Sequence, residues 1–182
     1  MPRVLHLLVE SRSQPSDILR RKIMAKPIPE GYHAVTPSFI FKDSQKAIEF
    51  YKKAFGAKVL DIFPNLSGPG IMHATIQIGD SIVMMGDENP GQACKSAESL
   101  GSSPISLFVY VPNADNTFKQ AVAAGGTAGM PVADMFWGDR AGQIKDPFGY
   151  SWMIATHTKD LTSEQIRKGA EAFFAQMAKK AG

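Results

Sequence analysis

Trp137-Gly138-Asp139-Arg140 is the densest run of recognition side chains in the sequence. An arginine there offers a planar fork of donors for a carboxylate or phosphonate, an adjacent aspartate can orient the fork, and an indole can close over a bound molecule. The run has a plainer reading too, with Asp139 and Arg140 in a surface turn and Trp137 in the core. Of the four histidines, His6 lies near the N-terminus, His33 precedes the first strand-like run and His157 follows the last, so only His73 is placed to enter a cavity. An imidazole at His73 either forms a hydrogen-bonded wall or contacts a ligand as a general base. One imidazole without converging carboxylates makes a poor metal centre. Cys94 is the single cysteine, which rules out an intramolecular disulfide framework and a cysteine-rich zinc site. No partner residue is suggested for it, so a catalytic thiol is not expected.

The elements that must position these groups come from an internal repeat with an offset of seventy residues. Asp43-Ser44-Gln45-Lys46 opens a helical pattern with Ala47, Ile48, Tyr51 and Phe55 on one face and Gly56 as its stop. Asn113-Ala114-Asp115-Asn116 opens a second, with Phe118, Ala121 and Val122 inward and Gly125-Gly126 as its stop. Strand-like runs precede both helices, and Gly79-Asp80-Ser81 aligns with Gly149-Tyr150-Ser151 at the same offset. Each half therefore reads as strand, helix and three strands: about 34–42, 44–55, 57–64, 71–78 and 81–86, then about 105–111, 114–124, 127–134, 139–145 and 151–156. Asp87 to Pro104, rich in Gly, Ser and Pro, reads as the linker between them. From Thr162 the chain predicts an amphipathic helix. Thr162 and Gln165 form a capping box, and Ile166, Ala170, Phe173, Phe174 and Met177 form the stripe.

Alternation assigns the strand faces. Val35, Phe39 and Phe41 form an apolar face, which turns Thr36, Ser38 and Ile40 toward a cavity. Met72, Ala74, Ile76 and Ile78 pack away from it and leave His73, Thr75 and Gln77 inward. Leu107, Val109 and Val111 pack on a helix and turn Ser106, Phe108 and Tyr110 to the pocket, while Asp139, Ala141 and Gln143 follow by the offset. The last strands are apolar on both faces, and the offset alone pairs Val83 with Met153. The candidate ligand-binding set is Thr36, Ser38, His73, Ser106, Phe108, Tyr110, Trp137, Asp139, Arg140 and Met153. No catalytic residue is assigned.

A duplicated βαβββ unit with KDSQKAIEFYKKAFGAK after its first strand and DPFGYSW before its last resembles the vicinal-oxygen-chelate superfamily of glyoxalases, bleomycin-resistance proteins and dioxygenases. PIPEGYH, FWGDRAGQIKDPFG and IATHTKDLTSEQIRK resemble an uncharacterised glyoxalase-like subgroup typified by proteins of bacterial phosphonate operons. The resemblance covers residues 25 to about 168. It implies an α+β fold of two βαβββ modules forming an incomplete mixed β-barrel, with the C-terminal helix added. The paired domain is expected over residues 25–160, with modules of about 33–86 and 105–157, and the helix over 161–182. Enzymes of that superfamily hold a divalent metal with a His or Gln from the first strand and a Glu from the last strand of each half. Those positions fall here on Thr36, Val83 or Met84, Ser106 and Met153, none of them a competent ligand, so no metal or other cofactor is expected.

The resemblance, with its ligands lost, implies a protein that captures a small organic molecule in a cavity. The alternative is a lyase or isomerase with a noncanonical metal or a metal-free site built on His73 and Asp139. Whether it is an enzyme stays open at this stage. The resemblance also implies a homodimer, to which the C-terminal helix can contribute.

Composition bounds the partners. At 182 residues, 44% hydrophobic and 20% charged, the chain suits one globular domain. The net charge of +3 resides in residues 1–23, which hold five basic and two acidic side chains, so the rest balances at 15 of each. Nucleic-acid binding is therefore not expected. No apolar run is long enough to cross a bilayer, so no membrane partner is expected, and the lone cysteine fits a reducing, cytoplasmic setting. Residues 1–24 are expected to be a disordered or misannotated leader. A disordered extension, a transit peptide and upstream sequence from a misplaced start codon all fit, and the last is favoured.

Overall fold

The computed structural model describes residues 25–91 and 93–181, and the readings of the N-terminal leader fall outside the described residues. The first module comprises β1 (Ser38–Phe41), α1 (Ser44–Phe55), β2 (Lys58–Pro64), β3 (Ile71–Ile78) and β4 (Ser81–Asp87). A short helix α2 (Ala97–Leu100) lies in the connection. The second module comprises β5 (Ser106–Tyr110), α3 (Ala114–Ala123), β6 (Thr127–Asp134), β7 (Asp139–Lys145) and β8 (Ser151–His157), and α4 (Ser163–Ala181) follows. The strands form two separate four-stranded mixed sheets, β1-β4-β3-β2 and β5-β8-β7-β6, each with its first strand parallel to its last. These are the two βαβββ units, and they do not close into a barrel. No helix among the described residues is long and apolar enough to cross a membrane.

Local chemistry sets the helix ends. The Asp43 carboxylate accepts from the Lys46 amide at the start of α1, and Gly56 ends it with φ 66°, a left-handed conformation that costs glycine little. Asn113 caps α3 in the same way through the Asn116 amide. At α4 the Thr162 amide donates to Gln165 Oε1 at 2.8 Å and the Gln165 amide to Thr162 Oγ1 at 3.3 Å, the reciprocal pair of a capping box.

One core serves both modules. Phe39, Phe41, Ile48 and Tyr51 from the first pack with Ile144, Phe148, Tyr150 and Trp152 from the second. Asp146 sits inside this core. It accepts from Tyr51 Oη at 2.7 Å, Trp152 Nε1 at 3.0 Å and the amides of Phe148 and Tyr150 at 3.0 and 2.9 Å. Burial raises its pKa against the pull of those four donors. Tyr150 Oη donates to the Ile40 carbonyl at 2.8 Å, a second tie between modules.

Four expectations are corrected. β1 begins at Ser38 rather than 34, because Pro37 has no amide to donate and the preceding residues turn. Val35 is consequently 84% exposed instead of packed beside Phe39. Met72 is exposed as well, since the β2–β3 pairing slips between Phe63 and Pro64 and Ile71 takes the buried place. In the last strands Ser38 pairs with Met84 and Phe108 with Met153, so Met84, not Val83, is the counterpart of Met153. Val83 is buried in the core.

Candidate functional site

The inner face of the second sheet, opposite its helix, follows from strand register. Phe108 pairs with Met153 and Tyr110 with Ala155, while Asp139, Ala141 and Gln143 pair with His157, Ala155 and Met153. All of these side chains share one face. At its rim Asp139 is 3% exposed and accepts three side-chain hydrogen bonds. Trp137 Nε1 and Tyr110 Oη donate to Oδ2 at 2.9 and 3.1 Å, and His157 Nδ1 lies 2.8 Å from Oδ1. A buried carboxylate needs this many partners to hold its charge.

These bonds set the chemistry of their neighbours. The Asp139 hydrogen bond raises the pKa of His157, with a second contribution from Asp160, whose Oδ1 lies 3.1 Å from His157 Nε2. Desolvation raises that of Tyr110, and the bond to Asp139 adds to it. The turn carrying Trp137 is pinned from below. The Gly138 carbonyl accepts from the Thr158 and Lys159 amides and from Thr158 Oγ1, and Gly138 itself sits at φ 100°. His157 is thus held between two carboxylates, buried Asp139 at Nδ1 and exposed Asp160 at Nε2.

A groove of about 600 Å³ adjoins this cluster along the open edge of β5. Its walls are the segment before β1 (His33, Val35, Thr36), the β3–β4 turn, Phe55, Trp152 and residues 107–112. Tyr110 belongs to both places: its ring lines the groove while its hydroxyl is held by Asp139. Phe108 and Tyr110 are 54% and 61% exposed, with ring centroids 6.3 Å apart.

Of the ten candidate residues, the groove gathers Thr36, Phe108 and Tyr110, and the Asp139 cluster gathers Tyr110, Trp137 and Asp139. Met153 stands beside Phe108 on the same face, and Ser106 lies opposite Ser151 at the far end of β5. Ser38 and His73 lie on the first sheet, outside the groove. His73 Nε2 is 3.1 Å from Thr75 Oγ1, and its ring lies 6.1 Å from that of Phe63. Asp139 thus has His157 as its imidazole partner, not His73.

Arg140 is placed otherwise than the sequence reading supposed. It points to the opposite face, where Nε and Nη2 meet Asp115 at 2.6 and 2.8 Å and Nη1 meets Asp134 at 3.1 Å. These carboxylates hold the guanidinium firmly protonated and fill its fork, and Asp139, one residue away, faces the other way by strand alternation. His157 was missed in the sequence. Carrying the alternation of Met153 and Ala155 one step further would have found it.

The four positions at which the superfamily places metal ligands carry hydroxyls at Thr36 and Ser106 and thioethers at Met84 and Met153. The Thr36 hydroxyl donates to the His33 carbonyl at 3.1 Å. This donor set does not fit a hard or borderline divalent cation, which needs carboxylate or imidazole. Among the described residues, no group of three or more His, Cys, Asp or Glu is placed to hold a metal ion.

Comparison with known proteins agrees with the fold. Residues 33–154 match the model of the Glyoxalase/Bleomycin resistance protein/Dioxygenase superfamily. An uncharacterised protein of Mycobacterium bovis is 33% identical over 137 residues, which is 74% of this chain and 90% of that protein. TioX from a Micromonospora species is similar in structure at 26% identity and a TM-score of 0.54, covering 69% of this chain and 98% of TioX. A glyoxalase-related enzyme from Fulvimarina pelagi shares the fold at 22% identity and a TM-score of 0.53, covering 68% of this chain and 87% of its own.

Proposed function

Since the chain belongs to the glyoxalase/bleomycin resistance protein/dioxygenase superfamily, we propose that it binds a small organic molecule, without a metal ion, in the groove beside β5. The observation that carries this reading is the fixed ring of Tyr110. Its hydroxyl is tethered to buried Asp139 while its face and that of Phe108 stand open at a groove of drug-like volume. Apolar Val35, Phe55, Ile82 and Trp152 add to the wall, with His33, Thr36, Asp80 and Ser81 as its polar members. Arg140 is spent on Asp115 and Asp134, and no lysine or arginine lines the groove, which favours a neutral or cationic ligand over an acid. The motifs in 25–168 support assignment to the phosphonate-operon subgroup, and the lone cysteine supports a cytoplasmic setting.

A thermal-shift screen of neutral, cationic and anionic arenes, organic acids and phosphonates, run with excess EDTA, tests the proposal. A binder of the native state raises the midpoint by mass action. The reading requires neutral or cationic hits that survive EDTA and disappear in Tyr110→Ala. Hits that need an added metal ion, or that are unchanged in that variant, refute it.

The Asp139–His157 pair favours a second reading, a metal-free lyase or isomerase in which a ligand displaces Asp160 from His157 Nε2 and exchanges a proton there. Under it, His157→Asn abolishes turnover of a bound compound and leaves its affinity within about threefold.

A further inference from the structure

α4 contributes no residue to the shared core, whose last member is Ile154, and both sheets are complete at β8. What the C-terminal segment grips instead is the turn between β6 and β7, Met135 to Gly138. Its connector holds one end, where the Gly138 carbonyl accepts from the Thr158 and Lys159 amides. The helix holds the other. Ile166, Gly169 and Ala170 are half-buried on a helix whose remaining described side chains are exposed, and Phe173 continues their face one turn on. Gly169 comes so close that a Cβ would stand 3.0 Å from Phe136 Cβ and 3.1 Å from its carbonyl oxygen. The Phe173 ring lies 5.7 Å from the Phe136 ring. Glycine inside a helix weakens it relative to alanine, and the close approach to Phe136 is what this one secures.

We propose, resting on the reading of the β5 groove as the ligand site, that α4 sets the geometry of that groove through Phe136 as a positioning residue. The Phe136 ring meets Trp137 edge to face, with centroids 4.9 Å apart and planes at 90°. Trp137 Nε1 donates to Asp139 Oδ2 at 2.9 Å, and the same oxygen accepts from Tyr110 Oη at 3.1 Å. One carboxylate oxygen therefore serves both rings. A shift of the indole moves the acceptor that aims Tyr110, whose ring lines the groove. Trp137 lies between the two gripped residues and does not itself line the groove, so the helix acts on the ligand only through Asp139 and Tyr110.

Fluorine NMR of the full chain labelled with fluorotryptophan tests this without a ligand. The two tryptophans give one signal at the turn and one from Trp152, which is held in the core by Asp146. Gly169→Ala favours the helix itself yet presses on Phe136, so a merely structural helix would leave the turn unmoved. The Trp137 signal and the ring signals of carbon-labelled Tyr110 should shift, and the Trp152 signal should stay. Phe173→Ala, which removes a partly exposed ring and adds no bulk, should shift the same signals, and in a Phe136→Ala background it should shift them no further. A compound that binds the groove should bind Phe173→Ala about three- to tenfold more weakly. The role of α4 is overturned by Trp137 and Tyr110 signals unmoved in both variants, by Trp152 moving with them, by additive effects of Phe136→Ala and Phe173→Ala, or by unchanged ligand affinity. Shifted signals in a protein that binds no compound support the positioning of Trp137 and Tyr110 and refute the groove reading alone. Phe173→Ala decides even if Gly169→Ala fails to fold.

Discussion

The hydroxyl of Tyr51, on the helix of the first module, donates at 2.7 Å to the carboxylate of Asp146, in the β7–β8 turn of the second. Tyr51 is fully buried, so this bond crosses a dry core, where a lost partner of a charged acceptor is not replaced by water. Tyr51→Phe is expected to cost about 1–3 kcal/mol in urea unfolding. Asp146→Ala, which strands Trp152 Nε1 as well as the tyrosine, should cost about 3–5 kcal/mol.

Stability should also report the His157–Asp139 bond through pH. The folded-state pKa of His157 is raised above 6.5 by Asp139 first and Asp160 second. A raised value means that the contribution is fully present below pH 6.5 and is lost as pH climbs through the folded value. Thermal midpoints should therefore fall on that alkaline side, and the slope should be absent from His157→Gln. An identical slope in the variant would assign it to another group.

Gly138→Ala tests the turn that carries Trp137 and Asp139. The residue sits at φ 100°, and its added methyl would collide with the Lys159 backbone. The cost expected in denaturant unfolding is about 1–3 kcal/mol, accompanied by weaker ligand binding because the Trp137–Asp139–Tyr110 geometry is displaced. Binding that survives intact would separate the turn from the groove.

Arg140→Gln, by contrast, should leave ligand affinity within about twofold by calorimetry, because the side chain serves Asp115 at the start of α3 on the far face. A large loss of affinity would restore the arginine to the binding site.

The contrast between Arg140 and Asp139 shows how far the sequence could be read. Strand alternation turned Phe108 and Tyr110 to one face, the repeat offset added Asp139, and cap chemistry placed α1 from Ser44 to Phe55. Alternation also separates Arg140 from Asp139, but its partner Asp115 lies 25 residues away and no local pattern announces the pair. The repeat misled where turn lengths differ. Six residues join β2 to β3 but four join β6 to β7, and the longer β7–β8 turn restores only part of that difference, so a constant offset mispaired Val83 with Met153. The groove itself depends on how the two sheets are docked through Tyr51, Asp146 and Tyr150, contacts whose partners stand about a hundred residues apart.

The most direct test of the metal-free groove is an amide and indole NMR spectrum of the labelled protein, recorded with EDTA while a screening hit is added. The account predicts shifts concentrated at Val35, Phe108, Tyr110 and the Trp152 indole, saturating at one ligand per chain. Shifts centred on His73 and Ser38 of the first sheet, or none until a divalent metal is supplied, would contradict it.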